Sequence, residues 1–268
     1  MVLGDNRFIG VFDSGIGGLT VLKEIVSAMP KEKILYLGDT ARVPYGSQSK
    51  STIVQYTLEA GKFLTKLNIK ALVLACNTAS SVAFKELVTN VSFPVIGMVR
   101  ASARLAAQKT KNKRVGIIGT KATIASCVYR KVLAELDGDI QVFSKACPLL
   151  VPLVEEGWFH NQITDAVVAT YLTGLKQKKI DTLILGCTHY PLLSHSIAKF
   201  MGNNVALING APAVAEELKQ LLAKKDMLGE EGPHLDFYLT SLPRELNRFI
   251  SQMFPGGIID GIIKVNLC

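Results

Sequence analysis

The chain has 268 residues, with 30 lysines and arginines against 22 aspartates and glutamates and a net charge of +8. With 49% hydrophobic and 19% charged residues, it is too apolar and too sparsely charged for a disordered polyelectrolyte, and it can bury the core of one large α/β unit or of two ordinary domains. No run approaches the roughly 20 apolar residues that a membrane-spanning helix needs, so nothing is expected to span a bilayer.

In chain order, strand-like runs at Arg7–Phe12, Ile34–Leu37 and Ala71–Ala75 alternate with amphipathic segments at Leu19–Met29 and Thr52–Leu67. Strand, helix, strand is the pattern of a parallel sheet flanked by helices. The pattern restarts at Pro94–Gly97, then runs through Ala101–Gln108, Arg114–Ile118, a helix over Thr123–Leu136, Ile140–Phe143, Val167–Leu175 and Thr182–Leu185. A later set, Val205–Ile208, Ala213–Leu222, Leu235–Leu239 and Pro243–Met253, carries no chemical motif and reads as scaffold. No long Pro/Gly linker interrupts the chain, so domain boundaries are expected in short connections near Gly97 to Arg100 and near Asn209-Gly210.

The basic runs Lys109, Lys111, Lys113, Arg114 and Lys176, Lys178, Lys179 have no interleaved aromatics. They read as solvated helix ends, so nucleic acid is not an expected partner. An odd set of five cysteines, Cys76, Cys127, Cys147, Cys187 and Cys268, behind a start without an apolar leader points to a reduced, cytoplasmic chain. A lone cysteine is by default a small core residue, and Cys127 and Cys147 are read so; Cys268, at the terminus, carries no signal.

Cys76 and Cys187 differ. Val73-Leu74-Ala75-Cys76-Asn77-Thr78-Ala79 and Ile184-Leu185-Gly186-Cys187-Thr188-His189-Tyr190 echo each other as apolar strand, small residue, cysteine and polar pair. Each thiol follows a strand and precedes what reads as a helix start, a setting that favours thiolate. His189, two residues from Cys187, can share its proton. Zinc is the rival reading, but Cys-x-His is too tight a spacing and no second ligand pair accompanies it, so no metal is expected.

Phe12-Asp13-Ser14-Gly15-Ile16-Gly17-Gly18 follows the first strand and opens the first helix. Its glycines suit a tight turn or backbone approach to an anion, but they match neither a dinucleotide fingerprint nor a P-loop. Gly38-Asp39-Thr40-Ala41-Arg42-Val43-Pro44-Tyr45-Gly46 follows the second strand as a loop, where Tyr45 and Gly46 can offer a hydroxyl and an N–H. Pro152–Gly157 reads on its own as a helix end with solvated acids. From the residues alone, a binding protein for an acidic small molecule stands beside an enzyme.

Together these segments closely resemble the signatures of the cofactor-independent glutamate racemases, within the wider aspartate/glutamate racemase family. The match takes in the Asp13-Ser14-Gly15 turn, the Gly38–Gly46 loop, Ala75-Cys76-Asn77-Thr78-Ala79-Ser80 and Leu185-Gly186-Cys187-Thr188-His189-Tyr190-Pro191, in the expected order. Val115–Thr123 and Pro148–Gly157 are also similar to that family, whereas Asn209–Ala213 and the tail after Pro255 depart from it.

The resemblance implies an α/β fold of two similar domains, each a mostly parallel sheet flanked by helices, with the active site in the cleft between them. The domains would be 1–98 plus 209–268, and 99–208. It implies no cofactor, and Cys76 and Cys187 as the two acid/base residues, assisted by Asp13, His189 and an acid aligned as Glu155, with Glu156 as its alternative. Asp13, Ser14, Tyr45, Gly46, Asn77, Thr78, Thr188 and His189 match its substrate-binding positions. L-glutamate and D-glutamate are the implied ligands, in a bacterial cytoplasmic enzyme that supplies D-glutamate for peptidoglycan. A homodimer and an interaction with DNA gyrase are the further partners it suggests.

Overall fold

The structure, a computed structural model, describes residues 4–257 and 259–267, so Cys268 lies outside the described residues. Among the described residues, ten strands form two wholly parallel sheets. They are β1 (Ile9–Asp13), β2 (Lys33–Gly38), β3 (Ala71–Leu74), β4 (Val95–Gly97), β5 (Arg114–Gly119), β6 (Gln141–Ala146), β7 (Thr182–Gly186), β8 (Ala206–Ile208), β9 (His234–Leu239) and β10 (Gly261–Lys264).

The first sheet runs β10-β9-β2-β1-β3-β4 and the second β6-β5-β7-β8. The second therefore repeats the order β2-β1-β3-β4 of the first, to which β9 and β10 are added at one edge. β1, β3 and β7 are buried at every position, as parallel strands covered by helices on both faces must be, and this is why they read as unbroken apolar runs. β6 and β10 are edge strands with mostly exposed or half-buried side chains.

In each sheet the order reverses beside its first strand, between β1 and β3 and between β5 and β7. A parallel sheet opens a crevice at such a switch, outside the carboxyl ends of the strands, because the following connections leave toward opposite faces. The residues at or just past those ends are Asp13 and Cys76 in one sheet and Thr120 and Cys187 in the other.

Helices follow the apolar spacing. Leu19, Leu22 and Ile25 on Leu19–Ala28 are buried on one face, and that helix packs on Ala211–Lys224. Ser49 caps Lys50–Lys66 by accepting the Thr52 N–H at 3.1 Å, and Asn161 caps Gln162–Gln177 through the Thr164 N–H at 2.8 Å; each satisfies an otherwise orphaned amide.

Two expectations need correction. The continuous helix over Thr123–Leu136 is two, Lys121–Ala125 and Val128–Leu136, because Cys127 takes φ 56° in the left-handed region. There Ser126 Oγ donates to the Thr123 carbonyl and accepts the Val128 N–H, a side-chain alternative to continuing the helix. The segment after Cys187 is a turn and a single 3-10 stretch, Tyr190–Leu193, before the helix Ser194–Met201 begins.

The sheet's far end is pinned by a buried ion pair. Lys70, just before β3, donates from Nζ to Glu32 Oε2 and the Asp5 carbonyl, both at 2.5 Å, and to the Met227 carbonyl at 2.8 Å. Glu32 also accepts the Gly229 N–H at 2.8 Å. Both charged side chains are at most 2% exposed, so removing one leaves the other uncompensated in low dielectric. We expect Lys70→Met to lower the unfolding free energy by about 3–5 kcal/mol in urea titration; a loss below about 1 kcal/mol would show the pair to be dispensable.

Candidate active site

The carboxyl edges of the two sheets meet, and their side chains interlock. Cys76 precedes the helix Asn77–Val82 as its cap. Its thiol donates to Ser14 Oγ at 3.4 Å, and its sulfur accepts the Ala79 N–H at 3.5 Å. Burial first and the Asp13 charge second push the Cys76 thiol up to about 12, against the opposing contact with Ser14. Cys76 is thus held as a thiol.

Asp13, the last residue of β1, is fully buried. Its Oδ2 accepts the Gly15 N–H at 3.0 Å, while Oδ1 has no hydrogen-bond partner among the described residues. Burial raises its pKa, partly offset by the positive field of His189. A buried acceptor left open is costly unless something completes it.

Across the cleft, Cys187 Sγ lies 3.7 Å from His189 Nδ1. On the other side of the ring, His189 Nε2 is 3.2 Å from Glu155 Oε1, at ion-pair distance though outside hydrogen-bond alignment. Burial by itself would depress the imidazole, but the Cys187 sulfur and the Glu155 carboxylate outweigh it and bring its pKa to about 10. The ring is therefore an imidazolium at neutral pH, between a sulfur and a carboxylate. Glu155 ends the helix Leu150–Glu155, and Arg248 holds its carbonyl; Glu155 itself is partly exposed.

The glycine turn makes this approach possible. A Cβ on Gly17 would lie 2.4 Å from His189 Cε1 and 2.6 Å from Thr188 Oγ1, and one on Gly18 would lie 2.5 Å from Asp13 Cβ. Thr20 Oγ1, in the first turn of the helix that follows, donates to the Thr188 carbonyl at 2.9 Å. The second loop docks likewise: a Cβ on Gly46 would strike Thr120 Cβ at 2.6 Å. Tyr45 is buried, and its hydroxyl donates to Asp39 Oδ2, which also receives Arg42 Nε.

Asn77 and Thr78 also face the second sheet. Asn77 Oδ1 accepts from the Tyr129 hydroxyl at 2.6 Å, and Thr78 Oγ1 lies 2.9 Å from Thr120 Oγ1 and 3.3 Å from Thr123 Oγ1. Of the site residues singled out in the sequence, Asp13, Ser14, Gly46, Cys76, Asn77, Thr78, Glu155, Cys187, Thr188 and His189 thus fall along one seam, whereas the Tyr45 hydroxyl expected to serve a ligand is taken by Asp39. Thr20, Thr120, Thr123 and Tyr129 are additional members; the Gly119-Thr120 step after β5 repeats the strand-end placement of Cys187 and was the available signal for Thr120. Both cysteines are buried, at 5% and 7% exposure, so bulk water is largely kept from the thiols. A separate cavity of about 800 Å³, lined by Ser81, Phe84, Arg100, Ala122 and Lys131 among others, includes neither.

Among the described residues, no group of three or more His, Cys, Asp and Glu is placed to hold a metal ion, and no helix is long and apolar enough to cross a membrane. Fold and site together define a class: an α/β protein with two similarly ordered parallel sheets that bring one thiol each, with a carboxylate or imidazole beside it, to a shared seam. Residues 9–218 match the family described as Asp/Glu/Hydantoin racemase, and the chain belongs to that family.

It is 44% identical over 264 residues to the glutamate racemase of Geobacter metallireducens, an alignment that covers 97% of both chains. Among solved structures it is similar to the glutamate racemase of Francisella tularensis in complex with D-glutamate (TM-score 0.92, 37% identity). It is also similar to a glutamate racemase isoform of Bacillus anthracis (TM-score 0.93, 40% identity). Each of these two alignments covers 98% of both chains.

The imidazolium gives a stability signature with a definite sign. A histidine whose pKa rises from about 6.5 when unfolded to about 10 when folded contributes stability that is complete below pH 6.5 and lost as pH rises through 10. The stability deficit of His189→Asn relative to the parent should therefore be largest near pH 6 and shrink toward pH 10 in urea unfolding. A deficit that grows with pH would refute the charged ring.

Proposed function

We propose that the protein interconverts L-glutamate and D-glutamate by moving the α-proton between Cys76 and Cys187, which work from opposite faces of the substrate. The observation that carries this reading is the pairing of two buried thiols at facing strand ends, each with its own ionisable neighbour. Inversion at an sp³ carbon needs a proton removed from one face and another supplied to the other, which two fixed groups accomplish without either crossing the ring of contacts.

In the L-to-D direction the Cα–H bond breaks as its proton passes to the Cys187 sulfur, and the electron pair stays on the substrate. The Cys76 S–H then gives its proton to the opposite face, leaving Cys76 as thiolate and Cys187 as thiol. With D-glutamate the same steps run backward from that end state. His189, held protonated by Glu155 and Cys187, sets a positive charge beside the sulfur that starts as base, and Asp13 sits beside the other thiol. General acid–base groups positioned in this way contribute typically 10²–10⁴-fold.

The carbanion's charge spreads into the α-carboxylate, which must then be met by preorganised donors in a largely dry site. Asn77, Thr78 and Thr188, with Ser14 and the backbone of the Tyr45-Gly46 loop, are the donors we assign to the two carboxylates, and the open Oδ1 of Asp13 suits the ammonium. The chemistry as written requires no cofactor. The domain division that fits this reading is 1–98 plus 209–268 against 99–208, so that each domain owns one of the two reacting cysteines. D-glutamate made in this way would feed peptidoglycan synthesis in the cytoplasm. A homodimer and contact with DNA gyrase rest on the family resemblance alone, and the proton transfer needs neither.

Circular dichroism of L-glutamate with catalytic protein and no added cofactor should decay to zero, with solvent deuterium entering the α-position. A constant signal would make the protein a binder. Cys76→Ser and Cys187→Ser should each reduce racemisation by at least the 10²–10⁴-fold of a lost acid or base; full activity in either would overturn the two-thiol scheme.

A further inference from the structure

Tyr129 belongs to none of the motifs that define the site, yet it touches both halves of it. It lies on Val128–Leu136, in the second-sheet half, 3% exposed. Its ring lies over Gly186, the residue before Cys187: a Cβ there would be 3.6 Å from Tyr129 Cε2. Its hydroxyl donates to Asn77 Oδ1 at 2.6 Å, and Asn77 follows Cys76. One rigid side chain therefore connects the flanks of the two thiols.

The chemistry of a carboxamide gives this contact a direction. An asparagine offers a carbonyl acceptor on one side and an NH₂ donor on the other, and the two are nearly isosteric, so the ring of neighbours decides which way it points. A phenol that donates to Oδ1 turns Nδ2 the other way. Burial pushes the Tyr129 phenol up, which keeps it protonated and donating throughout the working pH range.

We propose that Tyr129 is a positioning residue that fixes the Asn77 carboxamide with its NH₂ toward the ligand, so that Asn77 can donate to a substrate carboxylate. This rests on the reading of the protein as a glutamate racemase. Without the phenol, the amide can turn its carbonyl to the same place and set oxygen against oxygen. The contact also crosses from one sheet's residues to the other's, so the donor is aligned only while the two carboxyl edges are in register.

Tyr129→Phe keeps the ring over Gly186 and removes only the hydroxyl. Loss of one oriented hydrogen bond should raise KM about three- to tenfold for L- and D-glutamate alike, with an equal effect on the glutamate dissociation constant measured by calorimetry. On an Asn77→Ala background, the same change should alter that dissociation constant by less than about twofold, because the group it acts through is gone. An unchanged KM in Y129F, or a full additional effect on top of N77A, overturns the proposal.

If Y129F fails to fold, Asn77→Asp decides instead. It keeps an acceptor for the phenol and replaces the donor with an oxygen, so calorimetric glutamate binding, measured where far-UV circular dichroism shows the variant folded, should fall at least tenfold. Undiminished binding overturns the proposal. A parent protein that binds glutamate but leaves its optical activity unchanged would instead overturn the racemase reading, and the binding measurements would still judge Tyr129.

Discussion

The contact between the Gly15–Gly18 turn and the Thr188-His189 segment is the constraint on which the rest of the site depends. A Cβ at Gly17 would come within 2.4 Å of the imidazole, a separation at which backbone or ring must shift. Only hydrogen at that position lets the first sheet's turn reach the second sheet's acid/base pair, and Thr20 then locks the approach by bonding to the Thr188 carbonyl. A displacement of 1 Å in a reacting group can cost about 10²-fold in rate. The glycines thus serve as spacers that set the separation of the two half-sites, a different role from the anion cradle that glycine-rich turns form elsewhere.

The electrostatics of the two halves are unequal. Cys76 is surrounded by burial and a neighbouring carboxylate, both of which keep its proton on. The Cys187 side has an imidazolium, whose charge survives burial because the Cys187 sulfur stands on one side of the ring and a carboxylate on the other. Two thiols in identical surroundings would share one protonation state. The asymmetry of Asp13 against His189 and Glu155 prepares one thiol to give a proton while the other has a cation beside its sulfur, which is the state a two-base exchange must start from.

Much of this was legible in the sequence because the informative residues are local to strand ends. The apolar runs of β1, β3 and β7 are unbroken since both their faces are covered, and the cysteine after each of the last two is set off by small and polar neighbours. The helix break at Cys127 was hidden because no glycine or proline marks it; a cysteine with φ 56° is stabilised by serine hydrogen bonds that composition does not reveal. β10 escaped because a four-residue edge strand with exposed side chains has neither a buried run nor an alternation long enough to detect. Tyr129 escaped for a different reason: its importance lies in a contact 52 positions away along the chain, and nothing around it in the sequence differs from an ordinary helix face.

The repeated strand order explains why one protein can present two opposed acid/base groups with so little machinery. A single parallel sheet has one switch point and opens one crevice beside it. Two sheets of the order β2-β1-β3-β4 and β6-β5-β7-β8 provide two, and setting their carboxyl edges against each other makes each crevice the lid of the other. Cys76, two residues past β3, and Cys187, directly past β7, are then both delivered to that shared edge. The polar residues that follow them, Asn77-Thr78 and Thr188-His189, are spent partly on holding the edges together, through Tyr129, Thr120 and Thr20. Closure draws on these hydrogen bonds, and on the proposed reading recognition would too, so a ligand that completed Asp13, Asn77 and Thr78 would also strengthen the seam that excludes water from its own α-carbon.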